Sequence, residues 1–402
     1  MRRLDPRSLE IGMITAEPVA TPEGQILASA GTQITRQLIN RMKLYRVEYA
    51  VVEGDEPVAN TPVTPEPVPG ATSAPTPVPT PMPVPTPTPV QEVVPATAAK
   101  IKAQAQNRMT HSQRVASSPE FRDFQITYFQ AIDEMKIAFM GAIKRNEPID
   151  INSLLVTVSD LFRSRNTIAE LFDMLYNMRS VTDSVYAHCL NVALSSRMIG
   201  RWLKFERHDL DVLTAAGLLH DIGKLLIPEE VLNKPGSLTD DEFMMIRQHP
   251  SLGYNILKNQ NSLDSRIKKA ALMHHERSDG SGYPSGITED FIDNFAMIVG
   301  IADVYDAMTA ARSYRAPLCP FEVISNFERD GFQKYSTRYI LTFLQQMAST
   351  YQSNRVILSD GRGCKIVMLN HNSLSRPIVQ FDDNTCLDLS TASKDLYIKA
   401  VL

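Results

Sequence analysis

The chain has 402 residues, with 41 basic and 45 acidic side chains and a formal net charge of −4 at pH 7. This length predicts two or three domains, and the near balance of charge argues against a nucleic acid polymer or an acidic membrane surface as partner. The four cysteines are scattered without a CxxC pair, which is typical of a reducing compartment and argues against a disulfide scaffold. No apolar run approaches the ~18 residues of a membrane helix. We therefore expect a cytoplasmic protein without a membrane span.

Proline divides the chain into two parts. Fourteen of the 26 prolines lie between Pro57 and Pro95. Because proline lacks an N–H and fixes φ, this stretch favours extended polyproline II over a helix or a central strand. We predict a linker over residues 55–98 that could hold its neighbours apart by roughly 100 Å. A ligand for a proline-binding domain is the alternative.

The predicted elements on either side of the linker differ in kind. Residues 1–54 combine short strand patterns with one helical segment, RQLINRMKLYRV, and indicate a small regulatory module of α/β or β type. Residues 99–180 contain three segments of helical period. They predict a connecting region or a dimerisation region, and the sequence does not choose between the two.

Residues 181–348 continue with five segments of helical period and no alternating strand pattern, so we predict an all-α bundle. Thr239 and Glu242 have the spacing of a capping box before the third of these helices. Residues 349–402 instead predict a small β appendage, with one hairpin around Asp360-Gly361-Arg362-Gly363 and two further strands joined by Asp-Asp-Asn. The predicted fold is multi-domain and mainly α.

The chemistry is concentrated in the bundle. Five of the eight histidines lie within 88 residues, and they are His188, His220, His249, His274 and His275. A lone histidine on an apolar helix face is more often a core residue than a ligand. Five in one bundle indicate a metal, because buried imidazoles need partners and one cation can satisfy several.

Two aspartates extend this pattern. Asp221 follows His220 at a helix end that Gly223 can loosen, so its carboxylate could bridge two cations. Asp303 lies in an apolar helix, where a carboxylate is costly unless it is paired or ligating; a salt bridge to Arg312 or Arg315 is the alternative. Adjacent His274 and His275 point about 100° apart on a helix, which favours two neighbouring metals over one.

The order and spacing of these motifs resemble the HD-GYP domain, a subgroup of the HD metal-dependent phosphohydrolases. The resemblance covers about residues 181–325. It is carried by His188, His220-Asp221-Ile222-Gly223-Lys224, His249-Pro250, His274-His275-Glu276, Asp279-Gly280-Ser281-Gly282-Tyr283-Pro284 and Asp303-Val304-Tyr305-Asp306-Ala307-Met308-Thr309, followed by Arg312-Ser313-Tyr314-Arg315.

The resemblance implies hydrolysis of bacterial cyclic di-GMP to pGpG, and in some members on to GMP, by metal-activated water at an iron or manganese centre. It implies that Asp221 and Lys224 are catalytic, with Asp221 bridging the metals and Lys224 beside the scissile phosphate. It places Lys224, Tyr283, Pro284, Arg312 and Arg315 at the substrate. The implied metal ligands are His188, His220, Asp221, His249, His274, His275 and Asp303.

One position departs from the family pattern. Members with a third metal carry a glutamate one helical turn before the first histidine, where this chain has Ser184. We therefore expect a binuclear centre. The resemblance also implies a homodimer, for which the helices of residues 99–180 could provide the contact, and signalling partners at the Gly-Tyr-Pro segment or the N-terminal module.

Two other functions are kept open. A non-catalytic cyclic di-GMP sensor or adaptor would use the same pocket, and the Ser184 departure is its best support. A phosphohydrolase acting on a different cyclic dinucleotide is the third, because the downstream arginines fit phosphates without identifying the bases.

Overall fold

The computed structural model describes residues 2–6, 8–20, 26–35, 38–39, 42, 47–52, 115–163, 168–178, 184–234, 236–309 and 318–402. The predicted proline-rich linker and most of the predicted N-terminal helix lie outside these residues. So do Arg312 and Arg315.

The helices are α1 Pro119–Arg145, α2 Ile151–Arg163, α3 Ile168–Met178, α4 Val185–Trp202, α5 Arg207–Leu219, α6 Glu229–Leu232, α7 Asp240–Ile246, α8 His249–Leu257, α9 Ser265–Met273, α10 Asn294–Thr309, α11 Pro320–Asn326, α12 Phe332–Lys334 and α13 Thr337–Thr350. Two 3-10 turns, Ile222–Leu226 and Glu289–Phe291, and a π-helical turn, Phe327–Gly331, lie between them. The strands are β1 Arg2–Leu4, β2 Val19–Ala20, β3 Ile26–Ala28, β4 Ala50–Val52, β5 Arg355–Leu358, β6 Gly363–Met368, β7 Ile378–Gln380, β8 Cys386–Asp388 and β9 Ile398–Val401. No described helix is long and apolar enough to cross a membrane.

The N-terminal residues form two small antiparallel ladders around their own core. Strand β1 pairs with β4, and β2 pairs with β3. Ile34 and Met42 are fully buried between them. The predicted β character is confirmed, and Gly12 turns the chain at φ +102°.

The predicted helical bundle is confirmed among the described residues. Helix α4 packs on α5 and α10, and Gly217 lets α5 approach α4 so closely that a Cβ there would lie 2.5 Å from the Cα of Ala193. The Thr239–Glu242 capping box is present at the start of α7. Helix α1 joins the same core, where the hydroxyl of Tyr128 donates to Asn191 Oδ1 at 2.7 Å.

The C-terminal residues form a five-stranded antiparallel sheet in the order β8-β7-β6-β5-β9. Both predicted strand pairs are confirmed. Strand β9 was missed, because it pairs with β5 across about forty residues and no turn signal links the two. The sheet shares the main hydrophobic core with the helices. The domain boundaries proposed from the sequence stay predictions.

Candidate metal centre

Each candidate ligand occupies a helix end or a helix interior that the local sequence explains. His188 lies in the first turn of α4, whose N-cap Ser184 accepts a hydrogen bond from the N–H of Ala187 at 3.2 Å. Ser184 is therefore occupied as a helix cap, in keeping with the expectation that it does not replace a carboxylate ligand. His220 and Asp221 directly follow α5, and His249 begins α8.

Helical packing brings these side chains together in two groups. Potential ligand atoms within each group lie within 4.8 Å of one another. One group contains Asp221, His249, His274 and His275, and the other contains His188, His220 and Asp303. The structure therefore converges all seven predicted ligands, and their role as ligands stays a prediction.

The two adjacent histidines differ from the sequence-based expectation. His274 and His275 fall in one group, whereas their spacing on a helix favoured two. Their ring centroids lie 4.2 Å apart at the turn that follows the end of α9 at Met273.

Asp221 lies between the two groups and is fully buried. Its Oδ1 is 3.1 Å from Nε2 of His249 and 3.6 Å from Nε2 of His274. Its Oδ2 is 3.3 Å from Nε2 of both His188 and His220. One carboxylate thus turns one oxygen toward each group, which is the arrangement expected of a bridging ligand.

The imidazole rings are oriented by contacts at Nδ1. In His220, Nδ1 lies 2.8 Å from the carbonyl oxygen of Gly217. In His249 it lies 2.7 Å from the carbonyl oxygen of Ile246. In His274 it lies 3.0 Å from the carbonyl oxygen of Ala270. A carbonyl can only accept, so Nδ1 carries the proton and donates. Nε2 is then the ring nitrogen that faces the cluster and is available to a cation, as metal-ligating histidines require.

A second observation, the buried polar atoms without hydrogen-bond partners, also fits a metal at these side chains. Nε2 of His188, Nε2 of His220 and Oδ1 of Asp221 are buried and have no hydrogen-bond partner within the described part of the chain. Buried polar atoms are rarely left so, because desolvation without a partner is costly. Mixed imidazole and carboxylate ligands are compatible with a first-row transition metal.

The electric field at the cluster favours positive charge beside Asp221. Burial opposes the charged form of His220, but Asp221 outweighs it and raises the pKa of His220 to about 10. In the other group, burial lowers the pKa of His274 to about 4. Burial, reinforced by the charge of His274, lowers the pKa of His275 well below its ordinary value. The field that favours a proton on His220 equally favours a divalent cation.

Lys224 places a positively charged ammonium group beside the cluster. Its Nζ donates to Oδ2 of Asp221 from one turn further along the 3-10 segment. Burial opposes its charge, but Asp221 and then Asp303 outweigh burial and raise the pKa of Lys224. Lys224 therefore stays protonated beside the cluster and can offset negative charge on a bound phosphate.

The Gly-Tyr-Pro loop is fastened to the end of α9. The carboxylate of Glu276 accepts from the N–H of Ser285 at 2.7 Å and of Ile287 at 3.2 Å. Gly282 is required at the closest approach, since a Cβ would lie 2.5 Å from the carbonyl oxygen of His275. The loop thereby lays the Tyr283 ring on His275, with centroids 4.6 Å apart. Pro284 follows as an exposed residue of the same loop.

Asp306 and Glu276 support this geometry, although the sequence predicted no role for either residue. Oδ2 of Asp306 lies 2.8 Å from Nδ1 of His188, and Glu276 holds the loop. Asp306 could have been found from its i+3 spacing to Asp303, which places both carboxylates on one helix face. Glu276 had no such local signal, because its partners lie nine and eleven residues away.

Comparison with known proteins identifies this bundle. The family model described as HD domain matches residues 166–335. The matched residues are less than half of the chain. The predicted family resemblance is confirmed, and HD domains are metal-dependent, in agreement with the His/Asp cluster.

Curated proteins that are similar to part of the chain carry functional names. The cyclic di-GMP phosphodiesterase PA4108 of Pseudomonas aeruginosa is 40% identical over 144 residues, covering 35% of either chain. A cyclic di-GMP phosphodiesterase of Thermotoga maritima is 35% identical over 179 residues, covering 44% of this chain and 48% of the relative. The 3'3'-cGAMP-specific phosphodiesterase 2 of Vibrio cholerae is 35% identical over 150 residues, covering 36% of this chain and 29% of the relative. The chain thus matches less than half the length of each of these relatives.

Proposed function

We propose that this chain is a metal-dependent phosphodiesterase that hydrolyses cyclic di-GMP to pGpG. The observation that carries the proposal is the position of Asp221, whose two oxygens face two separate groups of candidate ligands. Phosphodiester hydrolysis commonly uses such paired sites. The names of the Pseudomonas and Thermotoga relatives support cyclic di-GMP as the substrate.

The proposed centre is binuclear and contains iron or manganese. Its ligands are His188, His220, Asp221, His249, His274, His275 and Asp303. When bound, the metal pair supplies Lewis acidity that activates water and offsets charge on the phosphodiester.

The chain's own residues complete the proposed chemistry. The rings of His220, His249 and His274 are held in position by their contacts at Nδ1, so little reorganisation accompanies reaction. Lys224 stabilises the negative charge that develops on the phosphate. Tyr283 and Pro284 line the proposed substrate side of the cluster. Arg312 and Arg315, proposed as further substrate contacts, lie outside the described residues.

The test combines metal analysis of the full chain with an anaerobic turnover assay that separates pGpG from GMP. We expect about two iron or manganese ions per chain and accumulation of pGpG. The variant Asp221→Asn, which keeps the side-chain volume, should lose metal and turnover while its helical circular dichroism is retained. The exposed Asp290 provides the matched control Asp290→Asn.

The same assay separates the alternatives. Faster turnover of 3'3'-cGAMP than of cyclic di-GMP would show that cyclic di-GMP is not the preferred substrate. The name of the Vibrio relative supports 3'3'-cGAMP as the alternative substrate. Metal and nucleotide binding without turnover would overturn the proposal in favour of a sensor.

Three further predictions belong to this proposal, and no observation on the described residues tests them. They are a homodimer through residues 99–180, signalling partners at the Gly-Tyr-Pro segment or the N-terminal module, and a cytoplasmic location.

A further inference from the structure

An arginine outside the predicted site lies against the ring that covers the cluster. Arg247 follows α7, and its guanidinium carbon is 4.7 Å from the ring centroid of Tyr283. The Tyr283 ring is itself stacked on His275, with an angle of 21° between the planes. Arg247 is therefore one ring removed from a candidate metal ligand.

The same guanidinium also faces a ring at the surface. Its carbon lies 5.9 Å from the ring centroid of Phe243, one turn earlier along the chain. Phe243 is 50% exposed. Phe243, Arg247, Tyr283 and His275 thus form a continuous series of planar groups from solvent to the cluster, which we call the planar ladder.

Arg247 differs from two other arginines that lie over rings. Arg266 lies over Phe295, but its N–H groups donate to Asp264 and Asp209. Arg277 lies over Tyr335 and donates to the carbonyls of His274 and Glu276. Within the ranges that the structure describes, Arg247 has neither a carboxylate nor a carbonyl partner, only its two rings. A half-buried guanidinium with five unused donors is suited to a ligand.

We propose that Arg247 binds the guanine base of the substrate and, with Phe243 and Tyr283, forms the base-binding wall of the site. This inference rests on the proposed function, because it needs a nucleotide whose phosphate lies at the cluster. The fork of a guanidinium matches the O6 and N7 acceptors of guanine. The exposed ring of Phe243 offers the face on which a base can stack. Arg247 is thus a residue that determines which phosphodiester is bound.

The test compares two substrates that share a phosphodiester but differ in the presence of a base. They are cyclic di-GMP and bis(4-nitrophenyl) phosphate, assayed with metal-loaded full-length protein. For Arg247→Met we expect KM for cyclic di-GMP to rise about tenfold or more. Hydrolysis of the base-free substrate should fall by no more than about twofold, and metal content should stay that of the wild type.

A second variant distinguishes the fork from the charge. Arg247→Lys keeps the cation but loses the planar fork, and we expect its KM to resemble that of Arg247→Met. Met244→Ala is the matched control, since Met244 is 55% exposed on the same helix and is not part of the planar ladder.

Each remaining outcome is decisive. An unchanged KM in Arg247→Met, an equal loss on both substrates, or full rescue by Arg247→Lys would overturn this inference and leave the proposed function standing. A wild-type protein that cleaves only the base-free substrate would overturn both.

Discussion

The contact between Asp306 and His188 shows how a neighbouring carboxylate orients a candidate ligand. Asp306 is only 3% exposed, and its Oδ2 lies 2.8 Å from Nδ1 of His188. Nε2 of the same ring lies 3.1 Å from Oδ1 of Asp303. Burial opposes a charged ring, but the surrounding carboxylates of Asp221, Asp303 and Asp306 raise the pKa of His188 well above its ordinary value. Asp306 therefore fixes which nitrogen of His188 faces the cluster.

Replacing Asp306 should weaken metal binding more than it weakens the stability of the fold. The variant Asp306→Asn keeps the volume but removes the negative charge behind the ring, so we expect metal affinity to fall about tenfold or more. Competition with a chromophoric chelator measures this affinity. Asp290→Asn is the control at an exposed position, and equal affinities of the two variants would exclude the orienting role of Asp306.

The 3-10 turn after Asp221 positions one candidate ligand against another. A Cβ at Gly223 would lie 2.0 Å from the carbonyl oxygen of His249 and 2.5 Å from the N–H nitrogen of Gly253. Both obstacles are backbone atoms of α8, so no side-chain rotation can relieve them. The absence of a side chain at Gly223 lets the segment carrying Asp221 approach the helix that begins with His249.

Adding one methyl group here should disturb both stability and the centre. We expect Gly223→Ala to lower the free energy of unfolding by about 2 kcal/mol or more and to reduce metal content, because α8 must move away from Asp221. Chemical denaturation and metal analysis are the measurements. Gly363→Ala is the control, since its Cβ would meet only the end of the Arg355 side chain at 3.7 Å; similar losses in both variants would contradict this account.

The start of α9 is stabilised by a charged cap. Oδ1 of Asp264 accepts from the N–H of Arg266 at 2.8 Å, and the guanidinium of Arg266 reaches Asp209 at the start of α5. The hydrogen bond from Arg266, which outweighs burial, lowers the pKa of the Asp264 carboxyl. This cap therefore links two of the helices whose ends carry ligands.

The cap predicts a pH-dependent contribution to stability. We expect Asp264→Ala to lower the free energy of unfolding by about 1 kcal/mol at pH 7. Because the folded pKa is the lower one, this contribution is present above the ordinary carboxyl pKa of about 4 and is lost as the pH falls through the folded value. Denaturant titrations of the variant and the wild type at pH 7 and pH 3 measure it. A difference independent of pH would show that charge plays no part.

In the whole molecule, the C-terminal sheet is continuous with the helical core. Val356, Ile366 and Val379 are fully buried in the same cluster as Phe343 of α13. Glu328 in the π-helical turn ties the two together, since its carboxylate accepts from the N–H of Leu374 and from the N–H and hydroxyl of Ser375. Sheet and bundle should therefore unfold together.

Removing this tie should destabilise the whole chain. Glu328→Ala leaves buried donors without an acceptor, and we expect the free energy of unfolding to fall by about 2 kcal/mol. Far-ultraviolet circular dichroism and the fluorescence of Trp202 in the bundle should report one shared transition. The neighbouring Asp330→Ala, in an exposed ion pair with Arg329, should change stability little. Loss of the sheet without loss of the bundle would contradict the common core.

The sequence by itself determined the helices, the two β regions and the set of candidate ligands. Helical period, the Thr239–Glu242 cap and the Asp-Gly turn act over a few residues, so they can be recognised without the fold. The histidines and Asp303 were recognisable because charged or polar groups in apolar helices need a partner.

Only the tertiary structure decided how the ligands group, and the reason is distance along the chain. His188 and Asp303 are separated by more than a hundred residues, so their contact depends on how α4 packs on α10. His274 and His275 share a group at the turn that follows α9, and the planar ladder follows from a loop folded back onto the end of that helix. Side-chain chemistry is local, whereas the convergence of side chains into a site is a property of packing.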